Sequence, residues 1–373
     1  MAGSSKRRLP YSSIVRDLPS TVPFVGPEAQ ERARGAVFRA RIGANESVFG
    51  PSPKAVAAMQ KAAAEAWQYA DPENYDLKQA LARHHGIAPE NIVVGEGIDG
   101  LFGFTARLFV EPGATVATSA GAYPTFNYQV AGAGGHIATV PYKDDSEDPN
   151  ALLDLAARVD APLIFFANPD NPMGSWSDAE TVQAFIDRVP DDRVLCLDEA
   201  YIEFAPTGTA PRLDVSNPNV LRFRTFSKAY GLAGCRIGYA IGETGVIKSF
   251  DKIRNHFGVN RIAQAAALAA LADQDYTAEV VRKVTAACDR IGAIAEANGL
   301  IPLPSAANFV AIDCGRDGAY AKCVLDELVA RDVFVRMPFV EPQNRCIRIS
   351  AGTDADLNLL ETVLPEALAA ADS

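Results

Sequence analysis

The sequence predicts an α/β fold, with a mostly parallel sheet layered between helices and a smaller α+β domain behind it. Three observations carry that expectation. Short apolar runs recur from residue 92 onward, separated by stretches with helical spacing. The runs at 163–166 and 194–197 are continuous rather than alternating, as strands buried on both faces must be. From about residue 245 the texture changes to long helical patterns followed by short strands. Buried strands alternating with helices build a doubly wound sheet, and the later pattern reads as a separate α+β unit.

In chain order, residues 1–50 carry Pro and Gly with little periodicity and read as an arm with room for one short helix. An Ala-rich helix is expected over 53–67 with Ser52 as its N-cap, and another over 73–85 ending at Gly86. Strands are expected at 92–94, 115–118, 136–141, 163–166, 194–197, 220–226 and 236–241. Helices over 246–255, 261–272 and 278–298 then lead to strands at 309–312, 333–336 and 346–350 and a last helix over 354–370. The expected division is an arm (1–50), a large domain (51–245) and a small domain (246–373) that packs with part of the arm.

Composition narrows the function. With 48% hydrophobic and 22% charged residues, the chain has the balance of a globular enzyme. A formal charge of −11 repels phosphate backbones and argues against nucleic acid as a partner. A small anion would need a cationic pocket within that field. The six cysteines form no Cys-x-x-Cys pair and sit largely in apolar runs, which suits reduced thiols in a cytoplasm. The four histidines lack metal-ligand spacing, so no metal is expected. Lys6, Arg7 and Arg8 precede no apolar stretch, which argues against a secretory leader. The apolar run at 262–272 is too short for a membrane span.

Ligands of open α/β sheets bind beyond the carboxyl ends of the strands, so the residues following each run matter most. After 220–226 come Ser227 and Lys228, with Arg236 eight positions on past Gly231 and Gly234. A lysine amine forms a Schiff base with an aldehyde cofactor, while hydroxyls and an arginine suit a phosphate monoester. One loop can therefore hold both ends of pyridoxal phosphate. After 194–197 comes Asp198, a carboxylate that burial makes costly unless a cation such as a pyridinium pairs with it. After 163–166 the turn from Asn168 to Gly174 presents Asn171, a donor for a phenolate oxygen. After 92–94 the glycines around Gly97 open a helix with free N–H groups for an anion. After 115–118 the aromatics Tyr123, Phe126 and Tyr128 include candidates to lie on a ring.

Taken together, these segments resemble the fold-type I pyridoxal-phosphate aminotransferases, and most closely the histidinol-phosphate aminotransferase family. The likeness runs through Ala44-Asn45-Glu46, Tyr69 to Pro72, Gly95 to Asp99, Pro124 to Phe126, Asn168 to Gly174, Asp198 to Phe204, Arg224 to Arg236 and Cys346 to Arg348. It implies that Lys228 carries the cofactor and shuttles the proton, and that Asp198 pairs with the pyridine nitrogen. It further implies that Asn171 and Tyr201 bond the phenolic oxygen and that Phe126 stacks on the ring. Gly97, Ile98, Asp99, Thr225, Ser227 and Arg236 would hold the phosphate. Tyr69 would reach the phosphate of a neighbouring subunit in a homodimer. Arg348 would clamp the substrate carboxylate, and Asn45 would line the substrate pocket. The arm has Phe24 where the family usually has tyrosine, and phenylalanine cannot donate a hydrogen bond to a substrate phosphate. Arg336, near the family's second arginine, supplies an alternative anchor. The activity implied is ping-pong transfer of an amino group to a 2-oxo acid such as 2-oxoglutarate. An aminotransferase for aromatic or other neutral amino acids, and a decarboxylase or lyase on the same scaffold, are the competing expectations.

Overall fold

The computed structural model describes residues 9–20 and 25–373. Its strands, in chain order, are β1 (Ala40–Arg41), β2 (Ile92–Gly95), β3 (Thr115–Ser119), β4 (His136–Val140), β5 (Leu163–Ala167), β6 (Val194–Asp198), β7 (Val220–Thr225) and β8 (Gly238–Ile241). They continue with β9 (Ile301–Pro302), β10 (Phe309–Asp313), β11 (Val333–Phe334) and β12 (Cys346–Ser350). Among the described residues, β2 to β8 form one sheet in the order β2-β8-β7-β6-β5-β3-β4, parallel except where β8 pairs with β2 and β7. The mostly parallel α/β architecture expected from the sequence is the one present.

The continuous apolar runs are explained by the pleat, which sends successive residues to opposite faces. Leu163 and Phe165 join one core with Phe102, Phe126 and Phe223, whereas Ile164 and Phe166 join the other with Leu152 and Phe185. Aromatic packing dominates the first core, where Phe102 lies 4.9 Å from Phe223 and Phe126 stacks on Phe165 at 4.4 Å. A third core joins the helices Pro53–Ala63, Tyr75–His85 and Arg261–Leu271 to the β2–β8 edge of the sheet. Ser52 caps the first of these helices by accepting from the Ala55 N–H at 3.1 Å.

The C-terminal residues build a separate core in which β12-β10-β9 pack against the helices Gln274–Ala297 and Asp354–Ala371. Ala40 and Ile42 belong to this core, because β1 pairs in parallel with β11 (Ala40 opposite Val333). The 40–42 segment thus packs with the C-terminal residues rather than with the large sheet.

Several local expectations fail for identifiable reasons. Ser13–Asp17 and Pro27–Arg34 are both helical, so the arm holds two helices and a strand rather than one short helix. The second helix has Pro27 at its first turn and Gly35 as a left-handed C-cap. The strand expected from 236 starts at Gly238, because Arg236 has φ +52°, which no strand residue adopts. The helix expected over 246–255 is Thr244–Ser249 followed by a tighter turn, Phe250–Lys252. No helix among the described residues is long and apolar enough to cross a membrane.

Candidate active site

Strands β5, β6 and β7 run in parallel register and end at one edge of the sheet, so Ala167, Asp198 and Thr225 bring their following loops together. A cavity of ≈ 310 Å³ opens there, and β12 contributes Arg348 from the opposite side. Lys228, Asp198, Tyr201, Asn171, Thr225, Ser227, Arg236, Ile98, Asp99, Asn45, Arg336 and Arg348 all line it.

The Lys228 amine donates to the Asn45 carbonyl at 3.0 Å and lies 5.4 Å from the Tyr201 ring centroid. Asn45 holds a left-handed backbone, φ +56°, which Asn tolerates better than most residues. Its side chain is buried and bonded at both ends. Nδ2 donates to the Tyr201 hydroxyl at 3.0 Å, and Oδ1 accepts from the Ser350 hydroxyl at 2.9 Å. Asn171 donates to the same Tyr201 hydroxyl at 3.4 Å and accepts from Arg348 Nη1 at 2.5 Å. Tyr201 therefore sits between two amide donors, with its ring edge-on to Phe309.

Asp198 is buried at the end of β6, and its Oδ1 accepts from the Ala200 N–H at 2.9 Å. Burial pushes its carboxyl up to about 7, and the negative charges of Asp99 and Glu199 push the same way. Lys228 pulls it back down. No cation among the described residues pairs with Asp198 at ion-pair distance. The adjacent Glu199 is the reverse case. Burial alone would raise it, yet Arg224 and Arg222 hold it below the usual carboxylate range. Its ion pairs are 2.9 Å to Arg224 and 2.5 Å to Arg222.

At the far end of the cavity, helix Gly97–Phe109 starts directly after β2, leaving the Ile98 and Asp99 N–H groups without intrahelical partners. Arg236 reaches this helix end, with Nη2 3.2 Å from Asp99 and Nη1 3.4 Å from the Ser227 hydroxyl. Its left-handed backbone is a strained arrangement for a non-glycine residue and aims the guanidinium at the helix terminus. Gly97 (φ +76°) lies underneath, where an added Cβ would come within 2.6 Å of Arg236 Nη2. The Thr225 hydroxyl accepts from the Ser227 N–H at 3.0 Å and fixes the turn.

The substrate side carries cations. Arg348 is 9% exposed, burial lowers its guanidinium to about 10, and its Nε has no hydrogen-bond partner. Arg336 faces it through an antiparallel bridge, and its Nη2 donates to the Val25 carbonyl at 3.0 Å. Met337, Pro338 and Phe339 add an apolar wall.

Three expectations stand apart from this cavity. Phe126 does not face it. Phe126 is the third residue of helix Pro124–Gly132, points down onto the sheet, and is 0% exposed in the core beside Phe165. The aromatic that lines the cavity is Tyr123, at the N-cap of that helix, whose hydroxyl donates to Asp99 at 3.0 Å. Tyr69 is 80% exposed, its ring 4.9 Å from that of Phe257, and is not among the residues lining its own chain's cavity. Phe24 lies outside the described residues.

Reading strand ends also missed Asn308, which is 1% exposed and donates to the carbonyls of Asn45 and Glu46 at 3.1 and 3.4 Å. Its signal was a polar residue abutting the apolar run of β10, a position that demands a partner. Ser350, at the end of β12, carried the same signal.

The model of the aminotransferase class I and II family matches residues 41–363. The chain is 33% identical to histidinol-phosphate aminotransferase 2 of Carboxydothermus hydrogenoformans over 94% of its own length and 98% of the other. It is 36% identical to the histidinol-phosphate aminotransferase of an Anaeromyxobacter species, over 86% of its length and 89% of the other. A crystal structure of histidinol-phosphate aminotransferase from Sinorhizobium meliloti in complex with pyridoxal 5'-phosphate superposes with a TM-score of 0.95. Its identity is 56%, over 98% of this chain and 99% of that one.

Proposed function

The chain belongs to the class I and II aminotransferases, in the histidinol-phosphate aminotransferase family, and we propose that it moves the amino group of histidinol phosphate to or from a 2-oxo acid. It is a pyridoxal-phosphate-dependent transaminating enzyme. The donor set fits that cofactor. The cavity offers an amine, a buried carboxylate with no cationic partner, two hydroxyls, an arginine and a helix N-terminus. The observation that carries the substrate reading is the buried Arg348, which lines the same cavity as Lys228 and Asp198 and whose Nε has no hydrogen-bond partner among the described residues, with Arg336 beside it.

When bound, the cofactor supplies an aldehyde that takes up the amino nitrogen and an electron-poor ring that accepts the electron pair left at Cα. Lys228 would hold the cofactor through its Nζ, take the Cα proton once displaced, and return it to the cofactor's carbon. Asp198 would pair with the ring nitrogen. A cation there relieves a carboxylate that burial leaves near 7, so the bound ring stays protonated. Tyr201 and Asn171 would donate to the phenolic oxygen. Arg236, Ser227, Thr225 and the N–H groups of Ile98 and Asp99 would hold the phosphate. Arg348 and Arg336 would take the substrate's anionic group, alternately phosphate and carboxylate, and so serve both halves of a ping-pong exchange.

We also place Tyr69 at the phosphate of a second copy, in a homodimer that works in the cytoplasm. The exposed aromatics Trp67, Tyr69 and Phe257, at 83%, 80% and 51%, support a covered surface there. The proposed division is a large cofactor-binding domain over 51–245 and a small domain over 246–373 packed with the arm.

The substrate claim is tested by half-reaction titration. Cofactor-loaded protein is mixed in turn with histidinol phosphate, phenylalanine and neutral amino acids while the visible absorbance is followed. The expected result is conversion by histidinol phosphate at concentrations at least tenfold lower than by the others, since a charge-assisted anion contact is worth about that or more. Preferential conversion by aromatic or neutral amino acids would assign the pocket to those instead.

A further inference from the structure

Behind the Asn171 turn lies a second group of acids that the reaction does not use. Asp170 is 1% exposed, yet no described residue pairs with it as a salt bridge. Its Oδ1 accepts from the Tyr142 hydroxyl at 2.9 Å and its Oδ2 from the Met173 N–H at 2.9 Å. Glu147 is 5% exposed and sits near enough to raise the cost of charging both acids. Glu147 accepts from the Ser119 hydroxyl at 2.7 Å and the Ala167 N–H at 2.9 Å. Two carboxyls in one dry site cannot both ionise cheaply. Burial and then the neighbouring Asp170 push Glu147 well above the usual carboxylate range, and burial raises Asp170 to about 6.

The same segment is tied to the strand that bears the anion site. Asp145, between Tyr142 and Glu147, pairs with Arg345 at 2.7 Å, and Arg345 also pairs with Asp313 at 2.7 Å. Arg345 directly precedes β12, and Arg348 lies within it. Arg348 in turn donates to Asn171, the residue after Asp170. The 142–147 segment therefore holds β12 from outside through Asp145 and the Asn171 turn from inside through Asp170.

We propose that Asp170 is a positioning residue for the anion site, locking the Asn171 turn through Tyr142 and Met173 and setting a buried negative charge beside Arg348. This rests on the reading of Arg348 as the substrate clamp. Burial lowers the Arg348 guanidinium, and Tyr201 and then Asp170 act against that shift, so removing a fixed negative charge from the turn that Arg348 bonds should loosen its hold. The groups facing Asp170 are Tyr142 and Glu147 from the segment before it, Arg348 from β12, and the N–H groups of its own turn. Burial raises Asp170 to about 6, and its hydrogen bonds and Arg348 pull it down. The folded value is above the ordinary one of 3.8, so the charge is present above about 6 and is lost as pH falls through it.

The test uses cofactor-loaded wild type, Asp170→Asn and Tyr142→Phe. Binding of succinate is measured by calorimetry, and KM and kcat with an oxo-acid acceptor whose carboxylates stay ionised over the range. At pH 8, Asp170→Asn should weaken succinate and raise the acceptor KM by about tenfold, the worth of one charge-assisted contact, with kcat within about twofold and the cofactor absorbance unchanged. The wild-type KM for that acceptor should rise on acidification through about 6, and Asp170→Asn should show no such limb. Tyr142→Phe, which keeps the charge but loses a bond to it, should move the limb to higher pH. Equal succinate affinity in wild type and Asp170→Asn, or an acid limb that persists in Asp170→Asn, would overturn the positioning role alone. Failure of wild type to bind succinate at all would overturn the reading of Arg348 on which it rests.

Discussion

Lys228 and Asp198 both line the cavity, as expected from the chemistry of an amine for an aldehyde and a buried carboxylate that is costly without a cation. The aromatic that lines the cavity was not legible in the same way. Tyr123 and Phe126 are three positions apart after the same strand, and only the start of helix Pro124–Gly132 decides which of them faces the cavity. Proline at the first helical position puts Tyr123 at the rim and turns Phe126 into the core. The two residues should separate by experiment. Phe126→Ala should cost about 3–5 kcal/mol of stability, as fully buried aromatics do, measured by denaturant unfolding of the cofactor-free protein. Tyr123→Ala should leave unfolding nearly unchanged and weaken cofactor binding several-fold by fluorescence titration. The opposite pattern would return the ring contact to Phe126. Asn308, Ser350 and Asp170 escaped the strand-end reading because their partners are more than a hundred residues away or lie in another turn.

Among the elements, the buried strands were read nearly to their boundaries. β5 and β6 hold continuous apolar runs between turn residues, as burial on both faces requires. The misses fell where backbone geometry rather than side-chain pattern decides. Arg236 resembles a strand start by sequence, yet its left-handed backbone delays β8 and aims the guanidinium at helix Gly97–Phe109. That arrangement makes Gly97 a sensitive point. Gly97→Ala combines a positive φ with a Cβ at 2.6 Å from Arg236 Nη2, so the arginine must retreat from the helix end. We expect cofactor affinity to fall at least tenfold, the worth of one charge-assisted contact, as read by dialysis equilibrium. Unchanged affinity would show that the phosphate does not sit on this helix.

At the scale of the whole molecule, the pocket draws on the large sheet and on the C-terminal core. The large sheet supplies Lys228, Asp198 and the helix end, while residues 40–45 and β12 supply Asn45 and Arg348 from the C-terminal core. Packing of the arm with the C-terminal residues was expected, but its pairing with β11 was not legible, because it depends on residues nearly three hundred positions away. Tyr69, exposed and outside its own cavity, extends the same logic to a second copy. Mixing Lys228→Ala with Tyr69→Ala protein, after subunit exchange, should yield hybrids in which one site has both residues intact and activity exceeds that of either parent. Activity no higher than the parents' would place Tyr69 outside the partner's site. The claim beneath all of this is that one lysine, Lys228, holds the cofactor aldehyde at the junction of the large sheet and the C-terminal core. It is tested most directly by reducing the cofactor-loaded protein with borohydride and mapping the modified peptide by mass spectrometry. The account predicts that the pyridoxyl label lies on Lys228 within the 225–236 loop; a label on any other lysine would contradict it.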